Sequence, residues 1–229
     1  MKILRFSPRS ISGILMVCIS FLFCGCPGPV NNGGPVPPVN NTPPSFSEKM
    51  ETGIQIYDKQ GNPVSGSYNI KFTNNNGDLV PAGTVKNGLL TLSLPKNMED
   101  KDLEQYNKSN FPDGLGNSID GIGFLIANFQ LYEGDIPKGA LSLSLSLSSV
   151  SGSVTNVLQY HYSNGEIKIN GQGMLLFDTI DATYDINAPA GWSRIWYTSE
   201  TTIKGVLNNK WTTDLSNIPG DIKWIFEPR

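Results

Sequence analysis

The chain's three cysteines and one histidine are the side chains with the most chemistry in them, and they are unevenly placed. The thiols, Cys18, Cys24 and Cys26, crowd together near the start, and nothing after Cys26 carries one. His161 is the only imidazole. A zinc site of the usual Cys/His composition takes three or four such ligands, so one chain cannot assemble it from these residues. The chain also lacks a G-x-S-x-G elbow, a G-x-x-x-x-G-K-[ST] loop, an H-E-x-x-H pair and a G-x-G-x-x-G turn. Carboxylates remain. Asp178, Asp181 and Asp185, or Glu133 and Asp135, are spaced so that a pair could serve glycoside hydrolysis. With 20 acids in 229 residues such spacing arises by chance, so no enzyme is expected, and a carboxylate-based hydrolase is the enzymatic alternative. The oxygen-rich turns "NNNGD" and "DGLGNSIDG" do not fit the twelve-residue calcium loop with its closing Glu. No metal and no cofactor is therefore expected.

The clustered cysteines sit in a segment with its own logic. Lys2, Arg5 and Arg9 precede an uncharged, mostly apolar run from Ile11 to Phe23, followed by the small Gly25. That is the layout of a secretory signal, residues 1–25, and the run is too short for the ~20 helical residues that a bilayer span requires. At its end "LFCG" before Cys26 resembles the relaxed lipobox of spirochaetal-type lipoproteins, with Phe23 at −3, Cys24 at −2 and Gly25 at −1. The resemblance implies cleavage before Cys26 and a diacylglyceryl thioether on its sulfur. Cys18 and Cys24 would leave with the signal, and the exported domain would keep no thiol able to mispair. Pro27, rather than Asp, follows that cysteine, which by resemblance to lipoprotein sorting rules implies the outer membrane of the cell envelope.

Loss of Lys2, Arg5 and Arg9 lowers Lys+Arg from 17 to 14 against 20 Asp+Glu, moving the net charge from −3 to −6. An acidic surface argues against nucleic acid as a partner. Residues 26–50 continue with "PGPVNNGGPVPPVNNTPPSFS", which has seven of the sixteen prolines and no charge. It reads as an extended tether or, alternatively, as a proline-rich ligand for a partner's groove.

Beyond the tether, period-two alternation dominates. In residues 51–96, Ile54 and Ile56, then Tyr68, Ile70 and Phe72, then Leu90, Leu92 and Leu94 alternate with polar residues between the turns "DKQGNP", "NNNGD" and "KNG". Asp58, Gly61, Pro63, Val64 and Gly66, followed by Asn87, Gly88, Leu90, Leu92, Leu94 and Pro95, resemble the opening of a carboxypeptidase-regulatory-like or transthyretin-like β-sandwich. That implies a fold and a non-catalytic support, with no activity of its own. In residues 97–120, "NMEDKDLEQYNK" predicts one short helix capped by Asn97, with Glu99 and Asp100 in its first turn, and "SNFPDGLGNSIDGIG" a loop.

Residues 121–229 return to strands. In "ALSLSLSLSS", Leu141, Leu143, Leu145 and Leu147 share one face, and Ser142, Ser144, Ser146 and Ser148 the other. With no charged gatekeeper, this strand is expected to lie inside a sheet. Asn164-Gly165 between "LQYHYS" and "EIKIN" predicts a type I′ hairpin that puts Tyr160, Tyr162, Ile167 and Ile169 on the core face and His161 opposite Lys168 on the polar one. All four tryptophans, Trp192, Trp196, Trp211 and Trp224, lie in the last 38 residues. A strand through "GWSRIWYT" turns Trp192, Arg194 and Trp196 to one face, and Ile195 and Tyr197 to the other. Either both faces are buried, or the Trp-Arg-Trp face is open for a sugar ring or a protein.

These readings amount to an all-β protein of one or two antiparallel sandwiches behind a signal peptide and tether, held to the membrane through Cys26. The expected role is a non-enzymatic binding or structural module. The alternative is a glycan-binding module or adhesin, with a glycan or an extracellular protein as partner and Trp192, Arg194 and Trp196 as its binding residues.

Overall fold

The computed structural model describes residues 51–229 except 109–110, 113–114, 116–117, 150–151, 176–178 and 202–205, and only backbone for 145–149 and 152–153. The expected signal peptide, Cys26 and tether, Asp178 and the side chains of Leu145, Ser146, Leu147 and Ser148 lie outside that description.

All-β is the class. The strands are β1 (Glu51–Asp58), β2 (Tyr68–Thr73), β3 (Leu79–Lys86), β4 (Leu89–Leu92), β5 (Glu104–Gln105), β6 (Gly123–Ile126) and β7 (Phe129–Glu133). Then come β8 (Ile136–Ser149), β9 (Gly152–Ser163), β10 (Ile167–Leu175), β11 (Ile180–Ala188), β12 (Gly191–Thr201), β13 (Leu207–Thr212) and β14 (Lys223–Pro228). Seven of them close a ring in the order β7, β8, β14, β1, β4, β3, β2 and back to β7. The first and last strands of the fold are neighbours, paired in parallel with Ile56 beside Trp224 and Tyr57 beside Ile225.

Alternation builds the ring's interior. Ile56, Ile70, Phe72, Leu90, Leu92, Leu131 and Trp224 are almost wholly buried inside it, each burial contributing roughly 1.5–3 kcal/mol. Closure also removes the exposed edges that open sheets must protect. The turn expected at "KNG" is a two-residue β3–β4 hairpin. Asn87 and Gly88 have φ of 50° and 78°, and Lys86 pairs with Leu89. A Cβ on Gly88 would meet the Val64 carbonyl oxygen at 2.0 Å.

A second sheet grows from the ring. β8 pairs with β14 along one side, and with β7 and then β9 along the other. β8 and β9 splay apart beyond the Leu143–Leu158 pair, and the β6–β7 segment fills the fork. β6 runs against β9, the Ala127 N–H donates to the Tyr160 carbonyl at 2.9 Å, and β7 then pairs with β8. Beyond β9 the order is β12, β13, β11, β10, with β11 and β13 parallel. Leu141 and Leu143 are buried while Ser142 and Ser144 are half-buried, as alternation requires. Strand β8 is internal over Gly139–Ser144, with paired neighbours on both sides.

Three local expectations change. Asn97–Lys108 forms no α-helix; a 3₁₀ turn at Asp100–Asp102 precedes the short β5, and Leu103 is drawn into the core. The Asp102 side chain instead accepts from Asn74 at 2.9 Å and Asn76 at 3.2 Å. Asn164-Gly165 makes no hairpin either, because β12 and β6 already occupy the two sides of β9 at Tyr162, so β10 pairs with β11. Asn164 is pinned to Gly123, its N–H donating to the Gly123 carbonyl at 3.0 Å and its Oδ1 accepting the Gly123 N–H at 2.8 Å.

The third change concerns His161, which is 6% exposed rather than on a polar surface. Its face of β9 is the one shared with Val157, and across the sheet with Ile195, Tyr197, Trp211 and Tyr184, all buried. Tyr106, Phe111, Pro112 and Leu115, which follow β5, roof this face. Tyr106 stacks on Phe124 at 3.8 Å, and Phe111 meets Tyr184 edge-on at 5.5 Å. Leu115 and Pro112 lie so close to β10 that a Cβ on Gly171 or Gly173 would fall within 2.5 Å of them.

Candidate functional site

The face carrying Trp192, Arg194 and Trp196 turns toward the ring, and its opposite, with Ile195 and Tyr197, lies under the roof. Both faces are covered. Trp192 packs edge-on against Phe72 at 5.8 Å and Tyr162 at 5.4 Å, and its indole N–H donates to the Pro95 carbonyl at 2.7 Å. Trp196 is 7% exposed within the main core. Their rings are engaged by the protein itself. Only Arg194 of the three is exposed, at the rim where β12 passes the ring.

Arg194 belongs instead to a polar group absent from the sequence reading. Its neighbour across the ladder is Tyr160, whose ring is buried in the core between Phe129 and Trp224. A buried phenol needs a partner for its hydroxyl. Tyr160 donates to Glu51 Oε1 and takes a hydrogen bond from Arg194. The other carboxylate oxygen, Oε2, accepts the Trp224 indole N–H at 2.7 Å. The result is a relay from guanidinium through phenol to carboxylate, closed by indole. Burial, and then the neighbouring Glu51 charge, push the Tyr160 hydroxyl well above the ordinary phenol range, so it stays protonated and donates.

Around this relay opens a cleft of about 510 Å³ lined by Ile54, Tyr57, Leu143, Arg194, Lys223 and Trp224 along with Glu51. Lys223 lies over the Tyr57 ring at 4.8 Å. Charged groups held against aromatic and aliphatic walls suit noncovalent binding. The one sequence signal for this group was the need of Tyr160, placed on a core face, for a buried acceptor.

Of the described carboxylates considered for hydrolysis, Glu133, Asp135 and Asp185 are exposed and Asp181 is half-buried. Glu133 is tied to Lys138 at 2.5 Å and Asp135 to Lys71 at 3.5 Å, while Asp185 accepts from Thr212 at 3.3 Å. Among the described residues no three His, Cys, Asp or Glu side chains are arranged to hold a metal ion. Comparison with protein families, with curated proteins and with solved structures finds no match.

Proposed function

We propose that this chain is a lipid-anchored lipoprotein of the cell envelope, whose ring and attached sheet act as a non-enzymatic binding or structural module on a proline-rich tether. The observation that supports the reading is the fastening of the first described strand. The charge-free run after Cys26 leads toward Glu51, and there the first described strand is fastened at once to Tyr160 and Trp224, residues far along the chain. A domain fastened at its entry point transmits a tether's pull to the whole fold instead of fraying from its end. At ~3.1 Å per residue a run of about 20 residues in polyproline form would reach roughly 60 Å from the lipid. The glycan or adhesin alternative no longer draws on Trp192 and Trp196, whose rings pack internally; it passes to the cleft at Arg194.

The test is the intact mass of the mature protein from its native membrane, beside Cys26→Ala, with protease added to whole cells. An acylated N-terminal Cys26 and loss of the domain to external protease are expected. An unmodified Cys26 overturns the anchor, and protection from protease moves the module to the periplasmic side.

A further inference from the structure

We propose that the cleft at the ring's rim binds a small organic anion, a carboxylate carried on a ring or apolar body, through Arg194 and Lys223. Five other lysines, Lys59, Lys71, Lys101, Lys138 and Lys168, each sit within 4 Å of a carboxylate. Among the described residues neither Arg194 nor Lys223 has such a partner. Arg194 faces the neutral Tyr160 hydroxyl, and Lys223 faces the Tyr57 ring. Other described bases, such as Lys86 and Lys210, also lack an ion pair; what distinguishes Arg194 and Lys223 is that both line one cleft. The only carboxylate there, Glu51, already takes a donor on each oxygen.

The planar fork of Arg194 matches a carboxylate, and an ammonium held over a ring adds a second positive point. The remaining walls are not polar. Ile54, 40% exposed, and the half-buried Tyr57 and Ile222 offer surface for an apolar or planar body, with the buried Trp224 behind them. A volume of about 510 Å³ falls in the range of small-molecule clefts. This inference rests on reading the ring as a binding module and is independent of the lipid on Cys26.

The probes are 3-phenylpropionate, its neutral isostere 3-phenylpropanamide, and inorganic phosphate. Each is titrated into the full chain in a non-ionic detergent with ¹⁵N-labelled tryptophan, and the Trp224 indole signal is identified by its loss in Trp224→Phe. The expected result is that the Trp224 signal moves with the acid and that the amide and phosphate bind about tenfold more weakly or worse. Arg194→Gln and Lys223→Gln are each expected to weaken the acid by a similar factor while leaving the unliganded Trp192, Trp196 and Trp211 signals in place. Equal affinity for acid and amide, equal affinity for phosphate, unchanged binding in both variants, or no movement of the Trp224 signal would overturn the proposal. A failed titration leaves the mass and protease results standing, and an unmodified Cys26 leaves the titration standing.

Discussion

The Glu51 carboxylate accepts the Trp224 indole N–H at 2.7 Å, joining the first residue of β1 to the second residue of β14 across 173 positions of sequence. The other carboxylate oxygen takes the Tyr160 hydroxyl, so one side chain ties the start of the fold to two long-range strands. Hydrogen bonds to a charged group contribute about 1.5–3 kcal/mol each, and leaving buried donors unpaired adds a further penalty.

Glu51→Ala is therefore expected to destabilise the fold by about 3–5 kcal/mol, and Glu51→Gln, which keeps one acceptor but turns an amide toward a donor, by about 2 kcal/mol. Guanidinium unfolding of the two variants beside the wild type measures it. Midpoints indistinguishable from wild type would show that the clamp carries no stability.

His161 predicts an acid-side loss of stability. Burial pushes its pKa from 6.5 to about 4, with Nε2 beside Gln159 Oε1 at 3.1 Å and Nδ1 without a partner. The folded state keeps the ring neutral, whereas the unfolded chain protonates it near its ordinary value. Stability from this group is thus fully present above about pH 6.5 and is lost as pH falls toward 4, by on the order of 3 kcal/mol. Below that both states are charged, and the loss from this group stops. His161→Leu is expected to flatten the urea midpoint between pH 7 and pH 4.5; an equally steep fall in the variant would place the effect elsewhere. The exposed Asp58, whose carboxyl is held below its ordinary value by hydrogen bonds from Asn62, titrates at lower pH and does not confuse this window.

The two Asn-Gly pairs should respond unequally to alanine. Gly88→Ala forces a side chain into positive φ and against the Val64 carbonyl oxygen, with an expected loss of 3 kcal/mol or more, roughly the sum of backbone strain and a steric clash. Gly165→Ala meets only the Ile122 side chain at 3.3 Å, at ordinary φ, and should cost less than about 1 kcal/mol. Thermal melts of both variants decide it, and a larger loss at Gly165 would mean that the Asn164 turn is a true primed hairpin after all.

That contrast also measures what a sequence can tell. Period-two alternation identified the strands carrying Ile56, Ile70, Phe72, Leu90, Leu92, Leu141 and Leu143, because a half-buried strand imposes it residue by residue. The Asn87-Gly88 turn was legible for the same local reason. Asn164-Gly165 carries the same dipeptide between alternating runs, yet its outcome is set by which sides of β9 are already taken, by β12 and β6, and no local pattern encodes that. His161 was misplaced for a related reason: its face is polar by alternation but buried by a roof whose Tyr106 and Phe111 come from a stretch with no strand pattern. Trp192 and Trp196 signalled a cluster of large rings without saying which way it turned. The Glu51 relay was hidden because its members are scattered over the length of the fold and meet only once the ring closes.

The parallel pairing of β1 with β14 has a consequence in time. A chain that emerges amino-terminus first, from a ribosome or through a membrane pore, can zip the β2–β3–β4 meander as it appears, but the gap between β1 and β8 stays open until Lys223–Pro228 has arrived. Closure of the ring therefore waits for β14, and until then β1 and β8 both present bare rungs to any neighbouring strand. A product lacking Lys223–Pro228 would be left in that half-closed, aggregation-prone condition, so β14 acts as the latch that tells a closed ring from an open one.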